Sequence, residues 1–136
     1  MKLITVLITL LLAMSAFAAD IPSEKPVEHG QIDFGLIPHN GSRTQVFTLT
    51  NNSEAPLTDI SLKTTGDFTM RHNCPKALNA GESCRAKISV WAMREGGLMG
   101  RFTVRTSAKD YLYNLYGQGD RDPFQNIPHP PIPPRP

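Results

Sequence analysis

The chain has 136 residues, two cysteines and nearly balanced charge, with 14 Lys and Arg against 12 Asp and Glu and a formal net charge of +2. That length holds one domain with a real core and excludes two. The charge bias is too small to point to nucleic acid or an anionic membrane.

The first residues, MKLITVLITLLLAMSAFAAD, combine a single positive charge at Lys2, an apolar run from Leu3 to Met14 and the small-residue pattern Ala16-Phe17-Ala18. This is the layout of a secretory signal peptide over residues 1–18, cleaved between Ala18 and Ala19. The run is shorter than the roughly 20 apolar residues of a spanning helix, so the mature chain is expected to be soluble and not inserted in a membrane. Residues 19–30, with Pro22 and Pro26, read as a short linker.

A β-rich unit is expected over residues 31–119. QIDFG opens it. RTQVFTLTNNS alternates, with Gln45, Phe47 and Leu49 on one side and Thr44, Val46 and Thr48 on the other, the period of a strand with one buried face. A second candidate runs from Leu57 to Thr64, where a bulge between Leu57 and Ile60 would reconcile the spacing. DFTMR is a short third. Cys84, Ala86, Ile88 and Val90 alternate with Arg85, Lys87, Ser89 and Trp91 in the cleanest strand of the chain. GRFTVRTS and YLYNLYGQG follow. Seven short strands separated by Gly, Asn, Pro and Asp turns, with no competing helical period, predict an all-β, seven-stranded antiparallel immunoglobulin-like sandwich. Residues 120–136 hold seven prolines and no apolar periodicity, and are expected to form an extended polyproline II tail.

The pieces DFGLIPHNGS, VFTLTNNSEAPL, GDFTMRHNC, LNAGESC, GLMGRFTV and LYGQG occur in order from Ile32 to Gly119. In this the chain resembles the ASH-type immunoglobulin-like domains, named for abnormal-spindle protein and hydin, and is similar to bacterial choice-of-anchor repeats. The glycines and asparagines suit that fold: Gly35 where the first strand ends, Asn51 and Asn52 where the chain turns, Gly81 where a hairpin needs a positive φ. Ala92 stands where similar domains often have proline, leaving a backbone N–H free to lengthen the fifth strand.

In an exported domain the two cysteines, Cys74 and Cys84, are expected to pair as a structural disulfide, a bridge that similar domains often carry. A redox role is disfavoured by the absence of Cys-x-x-Cys. The competing chemistry is a small periplasmic copper carrier using Met70, His72 and a reduced Cys74. The residues present no catalytic constellation: there is no GxSxG elbow, and His29, His39, His72 and His129 all fall in expected loops or ends. REGGLMG lacks the Lys-Ser/Thr of a phosphate loop and reads as a turn.

The expected role is therefore an exported bacterial interaction or scaffold module, periplasmic or extracellular, without cofactor or enzymatic activity, serving an unidentified protein partner in adhesion, assembly or tethering. Candidate contact residues are Arg101, Arg105, Leu112 and Tyr116, outward by strand parity if Phe102, Val104, Tyr113 and Leu115 face the core, together with Tyr111. Such a mixture of Arg, Tyr and Leu is favoured at protein interfaces. Trp91 points out of its own strand. In the tail, Pro128, Pro131 and Pro134 repeat every third residue and Arg135 follows, the pattern of a polyproline II ligand or a stiff spacer.

Overall fold

A computed structural model describes residues 24–124. The signal-peptide segment and the tail positions Pro128, Pro131, Pro134 and Arg135 lie outside them. The described chain folds into seven strands: β1 (Val27–Ile37), β2 (Ser42–Thr50), β3 (Ser61–Gly66), β4 (Phe68–His72), β5 (Ser83–Trp91), β6 (Gly96–Arg105) and β7 (Asp110–Gly119). They form two sheets, β1-β7-β6-β3 and β2-β5-β4, packed face to face. All pairings are antiparallel except β1 with β7, which is parallel. Among the described residues no helix is long and apolar enough to cross a membrane.

The sandwich is held by the inner faces. Cys84, Ala86, Ile88 and Val90 of β5 are all buried, as their alternation predicts. Facing them from the first sheet are Leu98, Phe102 and Val104 of β6 and Leu115 of β7. Phe47 of β2 reaches across the sandwich, its ring edge-on to Phe102 at 5.1 Å and to Tyr113 at 5.6 Å. At the other end Phe34 of β1 meets Phe68 of β4 at 5.0 Å. Offset and edge-on ring pairs add attraction beyond the area they bury.

The first strand begins at Val27, four residues before the expected start at Gln31. What recruits Val27–Gly30 is distant in sequence. These residues pair with Asp110–Tyr113, and a set of charges clamps the junction. Lys25 lies 2.6 Å from Asp110 and donates to the Thr106 carbonyl at 2.9 Å. Glu28 accepts from Lys109 and from the Tyr113 hydroxyl. The Lys109 hydrogen bond, helped by that of Tyr113, holds the Glu28 carboxyl below its ordinary 4.5.

Two local expectations change form. Gly35 has φ +66 but does not end β1; the register with β7 slips between Asp33 and Leu36, so Gly35 sits in a bulge whose N–H bonds the Asp33 carboxylate at 2.8 Å. Leu57 and Ile60 are not joined by a bulge. Asp59 at φ 56 breaks the chain there, leaving Leu57 in an isolated two-bond bridge to Leu78 and starting β3 at Ser61. Ala92 behaves as its free N–H suggests. It donates to the Gly41 carbonyl at 3.0 Å and its own carbonyl accepts from Asn40, carrying the β2–β5 pairing one step past Trp91.

The switch from the first sheet to the second at Gly66-Asp67 depends on Gly100. A Cβ there would lie 2.3 Å from the Thr65 carbonyl and 2.6 Å from the Phe68 ring, so only glycine lets β6 approach this corner. Asp67 stitches it further: the Met99 N–H, and then Arg94, hold its carboxyl below its ordinary 3.8.

Cys74 and Cys84 form a disulfide with Cα atoms 4.9 Å apart. It closes the loop between β4 and β5, where Gly81 takes the predicted positive φ of 77°. Cys84 is buried in the core. On the loop-entropy estimate, Cys84→Ser should lower stability by about 2.5 to 3 kcal/mol. Urea melts of the oxidised wild type and the variant measure this, and a difference under about 1 kcal/mol would mean that the bridge constrains little of the unfolded chain.

Candidate interaction surfaces

With the inner faces filled, the outer faces of the sheets stay open to a partner. On the first sheet, strand parity sends Met99, Arg101, Thr103 and Arg105 of β6 outward, beside Leu112, Asn114 and Tyr116 of β7 and Ser61, Lys63 and Thr65 of β3. The register sets their neighbours: Tyr116 opposite Met99, Asn114 and Thr65 opposite Arg101, Leu112 and Lys63 opposite Thr103, and Ser61 opposite Arg105. Of the predicted contact residues, the structure thus brings Arg101, Arg105, Leu112 and Tyr116 onto one face.

That face has two ends. At one, Ser61, Lys63, Thr65, Arg101, Thr103 and Arg105 line a shallow groove of about 330 Å³. It contains three cations and no carboxylate, and none of the ion pairs among the described residues uses Lys63, Arg101 or Arg105. At the other, Leu36, Met99 and Tyr116 border an open depression of about 460 Å³. Leu36 is 54% exposed and Met99 59%, high values for large apolar side chains on one face, with β7 between their strands.

Tyr111 does not join this surface. It shares the inward parity of Tyr113 and Leu115, packs partly buried against the core with its ring 6.0 Å from Phe47, and carries the Lys109 ammonium 5.1 Å from its ring centroid. Its role is to close the end of the sandwich, because strand alternation places residues 111, 113 and 115 on one side. Trp91 is 55% exposed, as expected, but on the outer face of the second sheet. The predicted cluster is therefore divided between two opposite surfaces and the core.

Lys63, Met99 and Leu36 were not legible as members of the face. The parity of β3 cannot be counted from Leu57 through the break at Asp59. Met99 falls in a segment that reads as a turn, REGGLMG, whereas β6 already begins at Gly96. Leu36 is turned outward by the bulge at Gly35, which leaves two successive exposed residues before buried Ile37.

The copper set does not survive the fold. Cys74 is bonded to Cys84 and offers no thiolate, and the His72 Nδ1 accepts the Cys74 N–H at 3.2 Å. Among the described residues no group of three His, Cys, Asp or Glu side chains is placed to hold a metal ion.

Comparison with known proteins agrees with this architecture. No curated protein sequence matches the chain. Among solved structures, the ASH/PapD-like domain 7 of human CEP192 superposes with a TM-score of 0.55 at 12% identity, covering 68% of this chain and 82% of that one. The Vibrio cholerae VesB protease superposes with a TM-score of 0.50 at 22% identity, over 68% of this chain and only 31% of the protease. At these identities the likeness is one of fold. A family model of HYDIN/CFA65/VesB-like Ig-like domains matches residues 27–118, the span from the first residue of β1 almost to the end of β7. The chain belongs to this family of Ig-like domains, and its sandwich is of the ASH type.

Proposed function

We infer that the protein is an exported, non-catalytic module that binds another protein through the outer face of its first sheet, as an assembly or tethering unit. The observation that carries this reading is the juxtaposition on one flat surface of an exposed apolar end, Leu36, Met99 and Tyr116, with a carboxylate-free basic end, Lys63, Arg101 and Arg105. Apolar and aromatic side chains supply the desolvated centre of an interface. Cations at its rim steer and orient an acidic partner. The disulfide supports export, since such bonds persist in oxidising compartments. That a similar domain occupies 31% of the VesB protease supports an accessory unit beside other activities.

Arg101→Glu combined with Arg105→Glu, and separately Met99→Ser, should each abolish the cross-linked complex formed by the wild-type protein in its native envelope. Both should leave the unfolding free energy within the range of ordinary surface substitutions, about 0.5 kcal/mol. A complex that persists in both variants would move the binding surface elsewhere.

A further inference from the structure

The outer face of the second sheet has a composition that packing does not require. Strands β2, β4 and β5 contain four Lys and Arg and no Asp or Glu, in a chain whose charges nearly balance. Three of the cations share the outer face. Arg71 lies directly opposite Lys87, and Arg85 lies two residues from Lys87 on the same strand, about 7 Å away along it. Like charges directly opposite in a sheet are destabilising, and no ion pair among the described residues relieves them. An anion laid over the three would neutralise this repulsion.

The rest of the face narrows the class of anion. Next to the cations, Thr44, Ser89 and Thr69 form a row across the three strands, with the Thr44 and Ser89 hydroxyls 2.8 Å apart. Thr44, Thr69, Arg71, Lys87 and Ser89 line a groove of about 460 Å³. Trp91 lies beyond the row, two residues past Ser89 on β5, more than half exposed and about 13 Å along the strand from Lys87. Hydroxyls both donate and accept, which suits a ligand that is itself rich in hydroxyls. An open indole offers a flat apolar surface to a sugar ring. The three cations match carboxylates carried on successive rings, Arg71 and Arg85 able to pair with them in a planar, two-bond geometry and Lys87 as a point charge.

We propose that the outer face of β2-β5-β4 binds an anionic glycan, a chain of sugars bearing carboxylates as in hexuronic acid polymers. Trp91 stacks on one ring, the Thr44–Ser89–Thr69 row meets the sugar hydroxyls, and Arg71, Arg85 and Lys87 take the carboxylates. This surface is separate from the protein-binding face on the first sheet, so the two stand or fall independently.

Trp91 is the single tryptophan of the chain, and its emission reports on this face alone. Titrating the purified, disulfide-bonded protein with alginate oligomers should give a saturable change in that emission, weakened by salt as the charged contacts are screened. Carboxyl-reduced oligomers of the same length should bind at least tenfold more weakly. Lys87→Thr should also weaken binding at least tenfold while keeping or raising the unfolding midpoint, because it removes the opposed like charges. No response of Trp91 and no heat of binding to alginate oligomers would overturn the proposal, as would unchanged affinity in Lys87→Thr. Equal or tighter binding of poly-glutamate or oligo-thymidylate would overturn it too, by showing a surface that reads charge and not sugar.

Discussion

Phe102→Ala should cost about 3 to 5 kcal/mol, the range for removing a buried aromatic ring. Phe102 is fully buried and belongs to the first sheet, yet its main aromatic partner, Phe47, belongs to the second. It also stacks on Tyr113 at 6.2 Å. The ring therefore joins the two sheets, and the space it vacates cannot be refilled by strands fixed in register on both sides of β6. Domains of this size have a total stability of about 5 to 15 kcal/mol, so the variant should lose a large share of it. The melting temperature should fall by roughly 12 to 40 °C, at about 4 to 8 °C per kcal/mol. Equilibrium denaturation measures the loss. A value below about 1.5 kcal/mol would place the centre of the core elsewhere.

The second large effect is expected at a polar residue. Asn51 is only 3% exposed, and its side chain is fully used. Its amide donates to the carbonyls of Ala55 at 2.8 Å and Leu78 at 3.0 Å, while its carbonyl oxygen accepts from the Ser53 N–H and hydroxyl. Its backbone adds bonds to Glu82 and Gly81. One side chain thus ties the end of β2 to the 53–55 turn and to the loop closed by the disulfide. Asn51→Ala removes four hydrogen bonds at once, the one to the Leu78 carbonyl buried, and should destabilise by about 2 to 4 kcal/mol. Asn51→Asp should be comparably damaging, because a carboxylate cannot donate to the two carbonyls. Exposed Asn52→Ala should stay within about 0.5 kcal/mol. If Asn51→Ala and Asn52→Ala proved equal, the buried network would have no energetic weight.

Asn51 also shows where sequence reading stops. In TNNSEAP it is legible as a turn residue, but nothing local says that its amide will be covered by Leu78, 27 residues later. The same division runs through the fold. Strand β5 is readable because it is the central strand of its sheet and every second residue is buried. The start of β1 is not, since Pro26 and the charges around it suit a linker and the residues that capture it, Lys109, Asp110 and Tyr113, lie more than 80 positions on. Of the surface, Arg101, Arg105, Leu112 and Tyr116 follow from alternation along two strands. Alternation also places Tyr111 with Tyr113 and Leu115, on the core side, although its chemistry matches that of the outer residues. Met99, Leu36 and Lys63 needed the strand start at Gly96, the bulge at Gly35 and the break at Asp59, each a backbone event with a weak sequence mark.

The claim that the outer face of the first sheet is a protein-binding surface is tested most directly by placing a photo-cross-linking amino acid at position 116, in place of Tyr116, in cells of the native host. A second protein carries it in place of Glu54, an exposed loop residue. On irradiation, position 116 should yield one discrete protein adduct that disappears when Arg101→Glu and Arg105→Glu are added, and position 54 should yield none. The absence of an adduct at 116, or the same adduct from both positions, would contradict the assignment.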